Sequence, residues 1–202
     1  MKRESLYLTL ISFMLLALAA PTAAVAWDEQ GTLIEEGSDQ GTLSIRNICA
    51  DGAGGAFIGF SFLLNMGGDP SIYIQKIDGF GTVLWPSPAS PPFETGIGGI
   101  VPDYAGGAFT MAGHGSIPTP ISCAYRLSGG GSCTSVFSAE AGSSPPDISP
   151  CGSGGTIVAW TRNLDDEMNM IWQTYVQKVD SDNSILWDPE GVPVCSDAIE
   201  QR

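Results

Sequence analysis

Carboxylates are the one abundant reactive group in this chain of 202 residues, which carries 22 Asp+Glu against 8 Lys+Arg. Asp165-Asp166-Glu167 form an unbroken acidic run in a long polar connection, and Asp69 stands in the matching connection of an earlier copy of the same pattern. A glycosidase needs two carboxyl groups about 5–10 Å apart across a cleft, one to protonate the leaving oxygen and one to attack or to activate water. Clustered carboxylate oxygens also suit weak binding of Ca2+, as does the alternation Asp180-Ser181-Asp182. Three adjacent acids are more simply a solvated loop, because spacing alone does not make them converge on a substrate. Asp69, Asp165, Asp166 and Glu167 are therefore candidate ligand or metal residues, and no cofactor is expected beyond such a Ca2+ ion.

Other chemistry has less to draw on. His114 is the only histidine, so any Ser–His–Asp or Cys–His machinery must use it. It lies in Ala112-Gly113-His114-Gly115-Ser116, with no Gly-x-Ser-x-Gly elbow near it, and reads as a solvated loop residue. The glycine pairs precede apolar runs of strand type and lack the lysine of a phosphate-cradling loop. Five cysteines (Cys49, Cys123, Cys133, Cys151 and Cys195) lack CxxC spacing, and with a single histidine they make a poor zinc site. Cys123 and Cys133 flank the turn Ser128-Gly129-Gly130-Gly131 and are the pair that a disulfide would join. The expected register speaks against that bond. If this hairpin turns where its counterpart turns, Leu127 faces Ser132, and Cys133 lies opposite Arg126, on the other face from Cys123.

Positioning any of these groups falls to a unit written three times. Gly54-Gly55-Ala56-Phe57-Ile58-Gly59-Phe60 returns as Gly106-Gly107-Ala108-Phe109-Thr110-Met111-Ala112, and again as Gly154-Gly155-Thr156-Ile157-Val158-Ala159-Trp160. Ile72-Tyr73-Ile74-Gln75-Lys76-Ile77-Asp78 recurs as Thr174-Tyr175-Val176-Gln177-Lys178-Val179-Asp180, and more loosely as Ser122-Cys123-Ala124-Tyr125-Arg126-Leu127-Ser128. The glycine pairs stand 52 and then 48 residues apart, a period that belongs to repeat architectures. Within the third copy, Asp147 to Ser149 leads into a glycine turn, Thr156 to Trp160 reads as a buried strand, and Ile171 to Val179 reads as another. Ile185-Leu186-Trp187 opens a further strand after the turn Asp180-Ser181-Asp182-Asn183, and Leu43 to Ile48 in the first copy marks the weaker fourth. Asp78-Gly79-Phe80-Gly81 and Asp180-Ser181-Asp182-Asn183 both open with an Asx-type cap and close on a residue at ease in the left-handed region. Trp85 and Trp187 follow at a fixed phase and read as core between units rather than as sugar platforms.

These motifs (Gly-Gly-Ala with its apolar run, Tyr-[Ile/Val]-Gln-Lys-[Ile/Val]-Asp, Leu-Trp, and Asp-x-x-Gly) resemble the β-propeller-type repeats of bacterial extracellular and surface proteins. The resemblance spans residues 27 to 195 and implies an all-β fold of four-stranded antiparallel blades, export, and no particular reaction. Repeat two departs from it, with Tyr125 and Ser135 where the Gln and the closing Trp belong. Units run about 36–85, 86–137 and 138–187, with a partial unit at 188–202 inside one repeat domain, 27–202. Three units are fewer than the four to eight that close a propeller, so the blades are expected to be incomplete. Further blades would come from a longer chain or an oligomer; a β-trefoil is the alternative, weakened by the absence of lectin-type Gln-x-Trp signals.

Residues 1–26 read as a signal peptide: Lys2 and Arg3, an apolar stretch from Leu6 to Ala20, then Ala24-Val25-Ala26. The mature chain would be secreted, extracellular or periplasmic, with no membrane insertion after cleavage. Without this leader 6 basic and 21 acidic residues remain, a balance that excludes nucleic acid as a partner and suits a soluble exported protein. The sequence favours a non-enzymatic binding or structural module with a protein or glycan partner. A carbohydrate-active propeller enzyme using the loop carboxylates is the alternative.

Overall fold

The computed structural model describes residues 33–34, 41–64, 70–91, 97–114, 121–140, 146–152, 154–164 and 171–194. The leader 1–26 lies outside these residues. Among those described the fold is all-β, with eleven strands in three antiparallel sheets. The first sheet holds β1 (Gly41–Ala50), β2 (Ala56–Leu64) and β3 (Ser71–Ile77). β4 (Ile97–Pro102), β5 (Ala108–His114), β6 (Ile121–Leu127) and β7 (Cys133–Glu140) make the second, in chain order. In the third, β8 (Asp147–Cys151), β9 (Gly155–Asn163), β10 (Trp172–Val179) and β11 (Val192–Pro193) again meander in order.

The glycine pair builds each β1–β2-type turn through two different requirements. Gly54, Gly106 and Gly154 sit at φ of 97°, 95° and 82°, where a Cβ is strained. Gly55, Gly107 and Gly155 are needed for space: a methyl there would overlap the carbonyl oxygen of Ile77, Leu127 or Val179 on the neighbouring strand. The hairpin after β3, β6 and β10 also repeats. Asp78 N, Ser128 N and Asp180 N donate to the carbonyls of Thr82, Ser132 and Ser184, and Gly81, Gly131 and Asn183 hold φ of 82°, 85° and 73°. The Asp78 carboxylate caps its hairpin by accepting from Phe80 N and Thr82 N at 2.8 Å each.

Two expectations need correction. Ile185-Leu186-Trp187 does not begin a continuous strand: Val179–Ile185 is an isolated bridge, as is Ile77–Val83 in the first sheet. A buried glutamine explains the difference. The Gln177 side-chain oxygen accepts from Lys178 N and Trp187 N, and its amide donates to Asp188 O. Gln75 likewise bonds Lys76 N and Trp85 O. The side chain thus replaces ladder bonds and lets the backbone leave the sheet. In repeat two, where Tyr125 pairs with Ser135 and no glutamine intervenes, β7 runs on as a regular strand past a register shift at Ala124/Tyr125. The second correction is register: Leu127 faces Cys133, not Ser132, and Arg126 faces Thr134.

Packing is face to face. The first sheet's Phe57, Ile74 and Trp85 form one cluster with Ile100, Ala108 and Leu127 of the second. The second sheet's Val101, Phe109, Met111, Ala124 and Phe137 form another with Ile148, Val158, Trp160 and Val179 of the third. Alternate residues of β5 and β6 therefore serve opposite cores, the period of two of a strand buried on both sides. The edge strands β1, β4 and β8 lie against one another in sequence.

Replacing Gln75 by Leu strands the Lys76 N–H and the Trp85 carbonyl in a buried site, at a cost of about 2–4 kcal/mol in urea unfolding. A loss within ~0.5 kcal/mol would mean that the glutamine does not hold the hairpin.

Candidate functional site

Asp69, Asp165, Asp166 and Glu167 lie outside the described residues, as does Cys195. His114 is the last residue of β5, paired with Ile121, rather than a loop residue. The other four cysteines are free thiols. Cys123 pairs with Ser138 and Cys133 with Leu127, four residues along the strand from Cys123. At about 3.3 Å per residue this separation is well beyond the ~7 Å limit between bridged Cα atoms, so no Cys123–Cys133 disulfide forms. Both cysteines line the core under Tyr125 instead. Burial raises the Cys133 thiol to about 11 and also raises Cys123, which keeps both protonated and poorly nucleophilic at neutral pH.

The polar constellation that the fold does assemble is one that sequence reasoning passed over. Asp51 and Asp103 stand four residues before the second glycine of their pairs. Each turns its Oδ1 back to accept two backbone N–H groups at 2.8 Å, from Ala53 and Gly55 in one case and Ala105 and Gly107 in the other. The second oxygen meets a cation from the third strand of the same sheet. Lys76 Nζ lies 3.7 Å from Asp51 Oδ2, and Arg126 Nη2 lies 3.0 Å from Asp103 Oδ2. Both carboxylates are almost wholly buried. Each cation also sits over a ring of its own sheet, Lys76 5.1 Å from the centroid of Phe57 and Arg126 5.5 Å from that of Phe109.

The same cations reach across the gap between sheets. Lys76 Nζ donates to Gly106 O, in the second sheet's glycine turn, at 2.8 Å. Arg126 donates to Ser181 O and, at 3.3 Å, to Asn183 Oδ1, both in the third sheet's hairpin. Trp85 adds a parallel bond, its indole N–H donating to Gly129 O at 2.8 Å, while its ring packs on Gly131. The available signal was the phase: three cations of a cation-poor chain, Lys76, Arg126 and Lys178, occupy one repeat position. In repeat three Cys151 replaces the aspartate, and among the described residues no carboxylate pairs with Lys178.

Two surface features share these elements. At the turn end, Tyr104 holds a φ of 54°, where repeat one places Gly52 at 78°. Its ring lies over Gly52 and remains 57% exposed, and Phe80 is exposed in the first hairpin at the same end. On the free face of the first sheet, Leu33, Ile34, Leu43, Ile45, Ile58 and Phe60 line an apolar groove of about 220 Å3. That is smaller than the ~300–1,000 Å3 of small-molecule sites. No family model matches the chain, and neither does any curated protein.

Burial by itself would raise the Asp51 carboxyl, but the Ala53 and Gly55 N–H groups and the Lys76 ammonium together hold it below the usual carboxylate range. The folded state thus binds this proton more weakly than the unfolded chain. The stability Asp51 contributes is complete above about pH 5 and is lost as the pH falls below about 4. An Asp51→Asn variant should melt well below wild type at pH 7, with the gap narrowing toward pH 3. A gap independent of pH would contradict the ion pair.

Proposed function

We propose that this chain is a β-propeller-type repeat protein of the exported kind, built as an arc of blades, acting as a binding or structural module. Support for the blade reading comes from the edge strands β1, β4 and β8 gathered side by side and from the cation bridge repeated at both seams. Residues that recur at fixed phase (the glycine pairs, Trp85, Gln75 and Gln177, the aspartate–cation pairs) are consumed by turns and seams. Binding therefore belongs where the copies differ.

The observation that carries the binding reading is Tyr104. A non-glycine residue in the left-handed region costs roughly 1–2 kcal/mol, and repeat one avoids that cost with Gly52 at a φ of 78°. Repeat two keeps a large exposed ring there, at the same end as Phe80. Exposed rings on a rigid turn end suit stacking on the apolar face of a sugar, so the partner proposed is a glycan.

Binding of the exported chain to a glycan panel, followed by calorimetry on the best ligand, tests this reading. Changing Tyr104 and Phe80 together to Ala should weaken binding about tenfold or more, each stacked ring contributing roughly 0.5–1.5 kcal/mol. Unchanged affinity would remove the turn end from the site. Hydrolysis of a panel member that disappears in the Asp165→Asn, Asp166→Asn, Glu167→Gln variant would replace the binder with a carbohydrate-active enzyme.

A further inference from the structure

Both ends of the arc expose residues whose equivalents are buried at the internal seams. On the third sheet's free face, Ile157, Ala159 and Val176 occupy the positions of Phe57, Gly59 and Ile74 in the first sheet and of Phe109, Met111 and Ala124 in the second. Phe57, Ile74, Phe109, Met111 and Ala124 are fully buried, whereas Ile157, Ala159 and Val176 are half-buried. Trp85 is 2% exposed under its neighbour, and its equivalent Trp187 is 38% exposed. Among the described residues no carbonyl meets Lys178, which stands at the position of Lys76 and Arg126. The first sheet's free face shows the converse. Ile48 is 67% exposed, while Ile100 and Ile148, at the same place in the other sheets, are 4% and 9% exposed.

The two free faces are complementary halves of one seam. At the first internal seam the donors are the third-strand cation Lys76 and the Trp85 indole N–H, and the acceptors are the carbonyls of the first glycine of the turn and the second residue of the hairpin; at the second seam Arg126 takes the hairpin carbonyl, that of Ser181. The third sheet offers the donors, Lys178 Nζ and the Trp187 indole. The first sheet offers the acceptors, Gly54 O and Gly79 O, with Gly81 at a φ of 82° where Gly131, at 85°, receives the Trp85 ring. It also offers an apolar groove beside Ile45, matched in character to the half-buried aliphatic side chains of the third sheet.

We propose that a second copy of this chain docks its first sheet on the third sheet of its partner, head to tail, and that two such contacts related by a two-fold axis close a six-sheet ring. Six falls within the four to eight blades that propellers use, and closure leaves no sheet face open. The head-to-tail contact follows from the seam residues alone. Closure at six also rests on the blade reading above.

Light scattering coupled to gel filtration on the exported chain tests the proposal. Wild type should elute at twice the protomer mass. Trp187→Ala on one face and Ile48→Glu on the other alter side chains exposed in the protomer, so each should yield a folded monomer with an unchanged circular-dichroism spectrum. A monomeric wild type overturns the proposal and leaves the blade reading intact. Open polymers overturn closure. A dimer that survives both substitutions, or is lost to only one, marks a like-with-like or unrelated contact and equally overturns the proposal.

Discussion

Everything in this fold hangs on a cation that serves two sheets at once. Lys76 and Arg126 each neutralise a buried aspartate in their own sheet and donate to a backbone carbonyl of the next. Burying such a pair is costly unless every lone pair and proton finds a partner. Here the aspartate's first oxygen takes two backbone N–H groups, its second takes the cation, and the cation's spare donors leave the sheet. The glycine turn, the ion pair and the seam are therefore one hydrogen-bonded unit. Loss of the carboxylate strands a buried cation, which typically costs about 3–5 kcal/mol.

Apolar packing supplies the bulk attraction between sheets, but it is non-directional. The polar unit fixes which rows of side chains meet. With Lys76 anchored on Gly106 and Trp85 on Gly129, the first sheet cannot slide along the second without breaking both bonds. The second sheet, buried on both faces, pays for this with strict alternation: Cys123, Tyr125 and Leu127 serve one core, Ala124 and Arg126 the other seam. A cysteine at position 123 or 133 is thus a small core side chain, far from the other, and the expectation from register that no bond joins them agrees with the free thiols.

Much of the architecture was legible in the residues. The glycine pairs announced the turns, the β-branched runs the strands, and Asp78 with Gly81 the hairpin, because each depends on neighbours close in sequence. The failures share a cause. The continuous strand expected at Trp187 is displaced by a buried Gln177, and the hairpin register is set by the turn bond from Ser128 N to Ser132 O, which puts Leu127 opposite Cys133 just as Ile77 meets Val83 and Val179 meets Ile185. Both arise from cross-strand contacts that local pattern does not report. The cation bridge escaped for the same reason: Lys76 and Gly106 are thirty residues apart, and only the shared phase of Lys76, Arg126 and Lys178 hinted at it. Of the proposed acidic site, Asp69, Asp165, Asp166 and Glu167 fall outside the described residues, whereas Tyr104 stands out only once its backbone angle is known.

The central claim is that each aspartate–cation pair acts as a single unit with the seam. A double-mutant cycle at the second seam addresses it most directly, with Asp103→Asn and Arg126→Met made singly and together and compared in chemical unfolding. The account predicts strong non-additivity, a coupling of about 1–3 kcal/mol, because either change alone removes the partner of a buried charge. Additivity within roughly 0.3–0.5 kcal/mol would contradict it, since the two groups would then be independent occupants of the seam.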